Sequence, residues 1–279
     1  MRAAISRRLL SAAVKYVPLS ILAFCVLLPI LVTFLTAIRS NGDILKNGLW
    51  SPPRPLFLGG FAGVWTTGKL GLYIRNSFII TLPSVLGSLF CSSLASYAIS
   101  RFQFRMKNIV FLLFFAGLWF PPQTFLIPIY FLAQKLRVYN TFQGMILVHV
   151  AYALPFAVLV LSRFFAAIPS SIIEAARIDG AREAFILARI VVPLAIPAFA
   201  SVAIFQFTWV WNDFFWGLVM TQSPGVQPVM IGMTSTLGRY VFDWNGQSVG
   251  AVLAMIPPLL IFVFLQRFFI EGVRMGAGK

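Results

Sequence analysis

The sequence predicts an all-α membrane protein with six transmembrane helices. Of its 279 residues, 59% are hydrophobic and only 10% are charged, whereas a soluble domain carries about 25% charged residues. The mean hydropathy of +0.89 excludes both a soluble enzyme and a disordered chain, which would be rich in charge and poor in aromatics. The two cysteines, Cys25 and Cys91, lie in apolar runs and are too few for a disulfide framework.

Six apolar runs are each long enough to cross a bilayer as a helix. A helix rises about 1.5 Å per residue, so about 20 apolar residues span the hydrocarbon core. Inside that core the backbone must satisfy its own hydrogen bonds, which a helix achieves. We interpret residues 1–279 as a single transmembrane domain whose helices lie near residues 17–38, 76–100, 108–134, 138–162, 190–213 and 244–266.

The first run follows four basic residues, as the core of a signal peptide does. Its apolar stretch is longer than the roughly 7–15 residues of such a core, and no A-x-A cleavage site follows it. We therefore expect a retained first helix. The loop after it, near residues 40–72, is rich in proline and glycine, which predicts an irregular segment.

The distribution of basic residues predicts the orientation of the helices. With a cytoplasmic amino terminus, 14 of the 22 basic residues fall on the cytoplasmic side, as the positive-inside rule requires. Much of the net charge of +15 then reflects topology rather than an acidic partner. Both termini are expected in the cytoplasm. The eight basic residues on the outer side are Arg39, Lys46, Arg54, Lys69, Arg75, Lys135, Arg137 and Arg239.

Two of the six runs contain a pair of adjacent prolines. Because proline lacks a backbone N–H and clashes with the preceding turn, it kinks or breaks a helix. Kinks or breaks are therefore expected at Pro121, Pro122 and Pro128 in the third run, and at Pro257 and Pro258 in the sixth. Backbone groups freed at such breaks could line a cavity, or the helices could simply bend.

The loop between the fourth and fifth predicted helices, residues 164–189, carries the most specific pattern in the chain. Three of the seven acidic residues lie here, at Glu174, Asp179 and Glu183. Ser171 and Glu174 have the spacing of a capping box, and Gly180 suits the left-handed position where a short helix ends. The pattern predicts a helix, a turn and a second helix outside the membrane. Such an element is either an ordinary solvated loop or a docking element for a cytoplasmic partner.

This loop resembles the EAA loop of ABC importer permeases. The residues that carry the resemblance are Glu174, Ala175, Ala176, Asp179, Gly180, Ala181 and Phe185. Further matching stretches are Arg75-Asn76-Ser77, Ser96-Tyr97-Ala98-Ile99-Ser100-Arg101, Tyr139-Asn140-Thr141, Trp211-Asn212-Asp213-Phe214 and Gln266-Arg267-Phe268-Phe269. From about Leu72 to Lys279 the chain is similar to the carbohydrate-uptake permeases of the maltose-transporter type, and to the six-helix subunit of their pair.

The resemblance implies a function and a set of partners. The chain would be the permease subunit of a binding-protein-dependent importer that moves a sugar, a di- or oligosaccharide, into the cytoplasm through the bacterial inner membrane. Its partners would be a second permease, two cytoplasmic ATPases, a periplasmic or lipid-anchored sugar-binding protein and membrane lipid, with no nucleic acid. The alternatives are a polyol or glycerol phosphate ester as substrate and a stand-alone secondary transporter, although no inverted repeat is visible.

The resemblance also implies how the loop couples to an ATPase. Glu174 would make a charged contact with the ATPase, Ala175 and Ala176 would allow close approach, and Asp179–Gly180 would form the turn. The chain itself is expected to be no enzyme and to bind neither cofactor nor metal, with ATP and Mg²⁺ held by the partner ATPase. Residues 63–70 match the phosphate-loop pattern until Leu70, where Ser or Thr is required.

A serine recurs at every fourth position of the second predicted helix, which places these serines on one helix face. Small residues at this spacing let membrane helices approach closely and hydrogen-bond across the contact. A packing seam and a serine-lined water path both fit the pattern. The residues are Ser84, Ser88, Ser92 and Ser96.

Aromatic and polar residues meet near the end of the fifth predicted helix. Tryptophan is common at the membrane interface, but an aromatic ring beside an amide and a carboxylate also suits the apolar face and hydroxyl edge of a sugar. An ionisable residue beside a span is a functional hypothesis by default. The candidate pathway residues are Trp209, Trp211, Asn212, Asp213 and Trp216.

His149 is the only histidine in the chain and lies in the fourth apolar run. A neutral, hydrogen-bonded packing role and a proton relay are the two interpretations. Because no carboxylate or second histidine is near it in the sequence, the packing role is the better fit.

Overall fold

The computed structural model describes the backbone of residues 2–235 and 243–277 and the side chains of residues 14–234 and 243–268. In these ranges the regular secondary structure is entirely helical, which confirms the all-α fold class. Two basic residues counted in the charge distribution, Arg239 and Lys279, lie outside the described residues.

Fourteen α-helices follow one another along the described chain. They are α1 (Arg2–Ala37), α2 (Asn41–Asn47), α3 (Gly59–Thr66), α4 (Leu70–Arg101), α5 (Lys107–Gly117), α6 (Leu126–Lys135), α7 (Phe142–Ala167), α8 (Ser170–Ile178), α9 (Glu183–Ile186), α10 (Val192–Leu194), α11 (Ile196–Trp211), α12 (Phe215–Met220), α13 (Val229–Ser235) and α14 (Trp244–Ala277). A 3₁₀ turn, Pro122–Phe125, precedes α6, and a π-helical turn, Leu187–Val191, joins α9 to α10.

Four of the described helices, α1, α4, α7 and α14, are long and apolar enough to cross a membrane. Two bent pairs supply the remaining candidate spans. The first is α5 with Pro122–Lys135, bent by 99°, and the second is Glu183–Leu194 with α11, bent by 78°. Counting each bent pair as one span gives the six spans that the sequence predicts.

Prolines act differently in the two runs where kinks or breaks were expected. In the third run α5 ends at Gly117, and the chain resumes in the 3₁₀ turn that begins at Pro122. In the sixth run α14 continues through Pro257 and Pro258 without a break. Proline removes an amide donor, but its fixed φ is compatible with a helix. Neighbouring turns therefore decide whether a helix ends there.

The fifth predicted helix begins later than the apolar run does. The run starts at residue 190, but the straight helix α11 starts at Ile196, after a break at Ala195. Residues from Glu183 onward already form short helical turns that lead into it. Apolar composition therefore predicts where the span lies. It does not predict the break at Ala195, which depends on backbone geometry.

The described chain divides into two compact units, Met1–Leu70 with Met233–Met255, and Gly71–Gly232 with Ile256–Lys279. The single domain over residues 1–279 stays a prediction. The first unit is built around Arg39, which is fully buried directly after α1. Its Nε donates to Oδ2 of Asp43 at 2.5 Å, and its Nη1 donates to the Gly48 carbonyl at 2.8 Å. The same bond with Arg39 lowers the pKa of the Asp43 carboxyl.

The second unit contains all of the candidate functional residues. One hydrophobic cluster of this unit joins the end of α7 to α8 and α9 through the buried side chains of Phe165, Ile173 and Ile186. A second cluster includes Met145 of α7 and Trp216 of α12. Burying a large apolar side chain contributes about 1.5–3 kcal/mol relative to leaving it exposed. The loop after α7 is therefore a packed part of the unit.

Candidate functional site

The helix of the EAA loop, α8, ends at Gly180 as the sequence predicts. Gly180 has a φ of 80°. The Ala181 N–H donates to the Ala176 carbonyl at 2.9 Å, and the Gly180 N–H donates to the Arg177 carbonyl at 3.0 Å. This pair of bonds is the Schellman motif, which requires a left-handed residue at the position of Gly180. A Cβ at Gly180 would meet no atom within 4 Å, so backbone conformation rather than space demands the glycine.

The start of α8 differs from the expected capping box. The helix begins at Ser170, its N-cap residue is Pro169, and no side chain caps it. Ser171 therefore lies inside the first turn, and the capping role predicted for Ser171 with Glu174 is wrong. Proline has a fixed φ and no N–H to satisfy, which suits the boundary of a helix.

One face of α8 is buried and the other is exposed. Ile173 and Ala176, three residues apart, share the buried face. The expectation that both alanines allow a partner to approach closely is therefore wrong for Ala176, which is buried. It stays a prediction for Ala175, which is exposed. Ala181 is half-buried. The exposed residues of the motif are Glu174, Ala175, Asp179, Gly180 and Phe185, of which Phe185 is 55% exposed.

Glu183, the third acidic residue of the loop, faces the end of α4. Its Oε2 accepts a hydrogen bond from the Tyr97 hydroxyl at 2.5 Å, and its Oε1 accepts one from Arg177 Nε at 2.7 Å. The bond with Glu183 raises the pKa of Arg177. Through Glu183, α4, α8 and α9 share one hydrogen-bonded network.

Arg101, the last residue of α4, holds the other end of the loop. Its Nη2 donates to the Ile168 carbonyl at 2.7 Å and also to the Phe165 carbonyl. These carbonyls end α7, where a helix leaves acceptors without intrahelical donors. Sequence reasoning assigned no role to Arg101 or Tyr97, although both lie in a stretch that carries the family resemblance. The resemblance of residues 96–101 to the family was the feature of the sequence that could have identified both residues.

The four serines of α4 are buried inside the second unit. Ser88 Oγ donates to Oε1 of Gln206 in α11, and Ser96 Oγ donates to the Val158 carbonyl in α7 at 3.3 Å. Ser84 and Ser92 donate to carbonyls of their own helix. Two of the four serines therefore bond to other helices within the chain, and the packing seam stays a prediction.

The five candidate pathway residues do not share one surface. Trp211 is fully buried, with its ring stacked on Phe207 at 5.6 Å. Trp216 is buried beside Tyr152 at 5.3 Å. Trp209, by contrast, is 62% exposed. Residues two apart on a helix lie about 200° apart around its axis, so Trp209 and Trp211 cannot face the same side. Asn212 is exposed, whereas the side chain of Asp213 is mostly buried.

The structure brings Asp213 to His149, a pairing that sequence reasoning missed. The Nε2 atom of His149 lies 3.8 Å from Oδ2 of Asp213, and both side chains are buried. A second Asp213 contact is the Gly217 N–H, which donates to the carboxylate at 3.1 Å. The two residues are 64 positions apart, and no local pattern connects them. Within residues 14–234 and 243–268, whose side chains the structure describes, no three His, Cys, Asp or Glu side chains gather as metal ligands would.

Comparison with known proteins identifies similar transport components. The family profile described as "Binding-protein-dependent transport system inner membrane component" matches residues 87–275. The osmoprotective compounds uptake permease protein of Synechocystis sp. is 36% identical and covers 92% of this chain and 89% of its own. The arabinooligosaccharides transport system permease protein of Halalkalibacterium halodurans is 33% identical and covers 92% and 93% respectively.

A solved structure has the same fold. It is the crystal structure of a bacterial ABC transporter involved in the import of the acidic polysaccharide alginate. One of its chains matches with a TM-score of 0.82 and 23% identity, over 95% of this chain and 98% of that chain. The similarity therefore extends over nearly the whole chain.

Proposed function

We propose a substrate and a mechanism for this chain, which belongs to the family of binding-protein-dependent transport system inner membrane components. Membership makes it a multi-pass protein of the inner membrane and a transport subunit rather than an enzyme. The proposed substrate is a di- or oligosaccharide, which the assembled importer moves into the cytoplasm. The similarity to a permease for arabinooligosaccharides supports this substrate class.

The observation that carries the mechanism is the geometry of α8. Its exposed face presents Glu174 and Ala175, and its buried face is fixed in a hydrophobic cluster by Ile173 and Ala176. A small side chain on the exposed face lets a partner approach closely, and Glu174 supplies a charge at the contact. We assign this face to a cytoplasmic ATPase.

Displacement of α8 by the ATPase would move the transmembrane helices with it. Arg101 ties the end of α7 to the end of α4, and Glu183 ties α9 to both α4 and α8. A closely packed element transmits displacement with little loss because protein interiors are dense and barely compressible. The ATPase would thereby move the ends of α4 and α7 together with α8, without any chemistry in this chain.

The complete importer follows from this assignment. A second permease, two ATPases that hold ATP and Mg²⁺, and a periplasmic or lipid-anchored binding protein would assemble with the chain in a bacterial inner membrane. Since the ATPases are cytoplasmic, α8 and both termini lie on the cytoplasmic side. This orientation agrees with the excess of basic residues on that side. No cofactor is assigned to the chain itself.

A reconstituted importer tests the function. Proteoliposomes that contain both permeases and the ATPases, supplied with the cognate binding protein, should take up radiolabelled maltose or arabinotriose only with ATP. Glu174→Ala combined with Gly180→Val should impair uptake and leave the affinity of the binding protein for its sugar unchanged. Lys46→Ala, at an exposed position in α2, is the matched control. If the double variant took up sugar normally with ATP hydrolysis, the proposal that this loop couples the ATPase to transport would be wrong.

A second substrate class is favoured by one comparison. The relative from Synechocystis carries osmoprotective compounds in its name, which fits a smaller polyhydroxylated substrate. The same proteoliposomes should therefore be tested with sorbitol and with sn-glycerol 3-phosphate. Uptake of either compound, without uptake of maltose or arabinotriose, would show that the substrate is a small polyhydroxylated compound rather than a di- or oligosaccharide.

A further inference from the structure

A small cavity lies between α7 and α11 in the second unit. Its volume is about 30 Å³, and its lining residues are His149, Tyr152, Ala153, Gln206, Trp209 and Val210. A volume of about 10–15 Å³ on this measure admits one water molecule. The cavity therefore has room for one or two oxygen-sized groups but not for a whole sugar ring.

His149 supplies a polar atom to this cavity that lacks a partner. The residue is 5% exposed, and its Nε2 forms no hydrogen bond with any described residue. The nearest carboxylate oxygen, Oδ2 of Asp213, is 3.8 Å away, which is beyond hydrogen-bond range. Buried polar side-chain atoms nearly always have a partner, so this atom requires an explanation.

The gap between the two atoms fits one bridging oxygen. An oxygen can lie about 2.8 Å from both atoms, a normal length for each hydrogen bond. Polar groups held more than about 3.5 Å apart are commonly bridged in this way by a water or a ligand group. A hydroxyl group meets the requirement because it donates one hydrogen bond and accepts others.

The cavity beside His149, which Asp213 does not itself line, suits a hydroxyl carried on a sugar. The side-chain amide of Gln206 is held by Ser88 and by the Ala153 carbonyl, to which its Nε2 donates at 3.3 Å. This arrangement fixes the orientation of the amide. Tyr152 and Trp209 add aromatic surface, which packs against the C–H groups of a sugar. Because Trp209 is 62% exposed, the cavity has an accessible side.

We propose that His149 and Asp213 form a subsite that binds one hydroxyl or hydroxymethyl group of the transported sugar. This inference rests on the proposed function and adds a substrate contact to it. The group enters past Trp209 and bridges Nε2 of His149 and Oδ2 of Asp213. The rest of the sugar lies outside the cavity against the Trp209 ring.

The subsite is far from the coupling loop. His149 precedes the end of α7 by 18 residues, which is about 27 Å along the helix axis. Substitutions at His149 should therefore leave ATPase docking at α8 intact. The diagnostic quantity is the number of sugar molecules imported per ATP hydrolysed, since loss of a substrate contact would let ATP be used without transport.

The test uses the complete importer in proteoliposomes with radiolabelled maltose and arabinotriose. His149→Leu and Asp213→Asn should lower sugar import per ATP about tenfold, as expected for the loss of one hydrogen bond to a charged or strongly polar group. His149→Gln, which retains a hydrogen-bonding group, should recover most of that ratio. Ser162→Ala is the matched control because Ser162 is buried in the same helix and bonds only within it.

Monodeoxy analogues of the transported sugar supply a second readout that stability does not affect. The unmodified importer should discriminate against one analogue that lacks a single hydroxyl, and His149→Leu should abolish that discrimination. Trp209→Ala, at an exposed position, should weaken import of all the sugars. It serves as a second variant if the buried substitution prevents assembly.

Two results would overturn the subsite. In one, His149→Leu and Asp213→Asn lower only the thermal stability of the complex, which would mean that the cavity holds a structural water. In the other, His149→Leu and His149→Gln behave alike toward every deoxy analogue. Both results leave the proposed function standing, because the unmodified importer still moves sugar. Failure of that importer to move either sugar would count against the proposed substrate class instead.

Discussion

Neighbouring residues with the same chemistry have different roles in this chain. Ala175 and Ala176 both belong to the EAA motif, yet only Ala175 is exposed, while Ala176 packs with Ile173. In α11, Trp209 is exposed and Trp211 is enclosed. The angle between successive residues on a helix produces both differences. A sequence motif therefore identifies a helix or loop, but the contacts of each residue in it depend on the direction in which its side chain points.

The left-handed conformation at Gly180 gives a prediction about coupling. An ordinary L-residue in this conformation costs about 1–2 kcal/mol, whereas asparagine adopts it more readily. Sugar import per ATP should therefore decrease from the unmodified protein to Gly180→Asn and further to Gly180→Val. The control is Gly63→Val, at an exposed helical position with open space around the Cβ. Equal import by the Asn and Val variants would show that φ is not the constraint.

Gly144, in the first turn of α7, gives a prediction about stability. A Cβ there would lie 2.1 Å from the Val138 carbonyl oxygen, a backbone atom that cannot move independently. Gly144→Ala should therefore destabilise the permease by about 2–3 kcal/mol, measured by thermal unfolding of the purified complex. Gly63→Ala, in α3, should be neutral or stabilising by up to about 1 kcal/mol because it only restricts the unfolded chain. An unfolding midpoint for Gly144→Ala equal to that of the unmodified protein would contradict this geometry.

At the scale of elements, the loop after α7 is an integral part of the transmembrane unit. Arg101 satisfies carbonyls at the end of α7, and Tyr97 reaches Glu183 at the start of α9. Both contacts come from the last two turns of α4. The proposed coupling role requires the loop to be held at both ends, and these two residues of α4 hold it.

Tyr97→Phe tests whether this network holds α8 in place. The substitution removes only the hydroxyl that donates to Glu183, and hydrogen bonds to charged groups contribute about 1.5–3 kcal/mol. Amide hydrogen exchange in residues 170–186 should become about tenfold faster or more, because local opening loses that contribution. Tyr16→Phe, at an exposed position in α1, should leave exchange in the same segment unchanged. Unaltered exchange in Tyr97→Phe would show that the hydrophobic cluster alone fixes α8.

For the whole molecule, the distribution of basic residues and the lengths of the apolar helices are both consistent with six spans and a cytoplasmic amino terminus. Four long helices and two bent pairs supply six candidate spans. The basic residues are more numerous in the segments that the proposed orientation places in the cytoplasm. The positive charge therefore does not require a nucleic acid or another acidic partner.

Cysteine labelling tests the orientation. In a background with Cys25→Ser and Cys91→Ser, the variant Lys46→Cys should react with a membrane-impermeant maleimide in intact spheroplasts. Asp179→Cys should react only after the membrane is disrupted, because α8 would face the cytoplasm. Both positions are exposed, so, when the chain is expressed without its ATPase, access to the reagent depends on the membrane alone. The reverse labelling pattern would invert the proposed topology.

Composition and motif spacing were enough to predict the all-α membrane fold, the approximate positions of the spans and the EAA loop. These features depend on local quantities: apolar length, the spacing of a motif, and a glycine where a helix must turn. The Schellman turn at Gly180 confirms that kind of inference. The break in the third span was expected from Pro121 and Pro122, whereas the break at Ala195 in the fifth span was not.

The contacts between side chains of different helices became known from the three-dimensional structure. It enclosed Trp211 and Trp216, placed Arg101 on the carbonyls of α7, and brought His149 within 3.8 Å of Asp213. Each of these contacts joins residues from different helices, and a linear pattern contains no information about how helices rotate and pack. The EAA loop was therefore recognisable in the sequence, while the cavity became visible only when α7 and α11 were placed side by side.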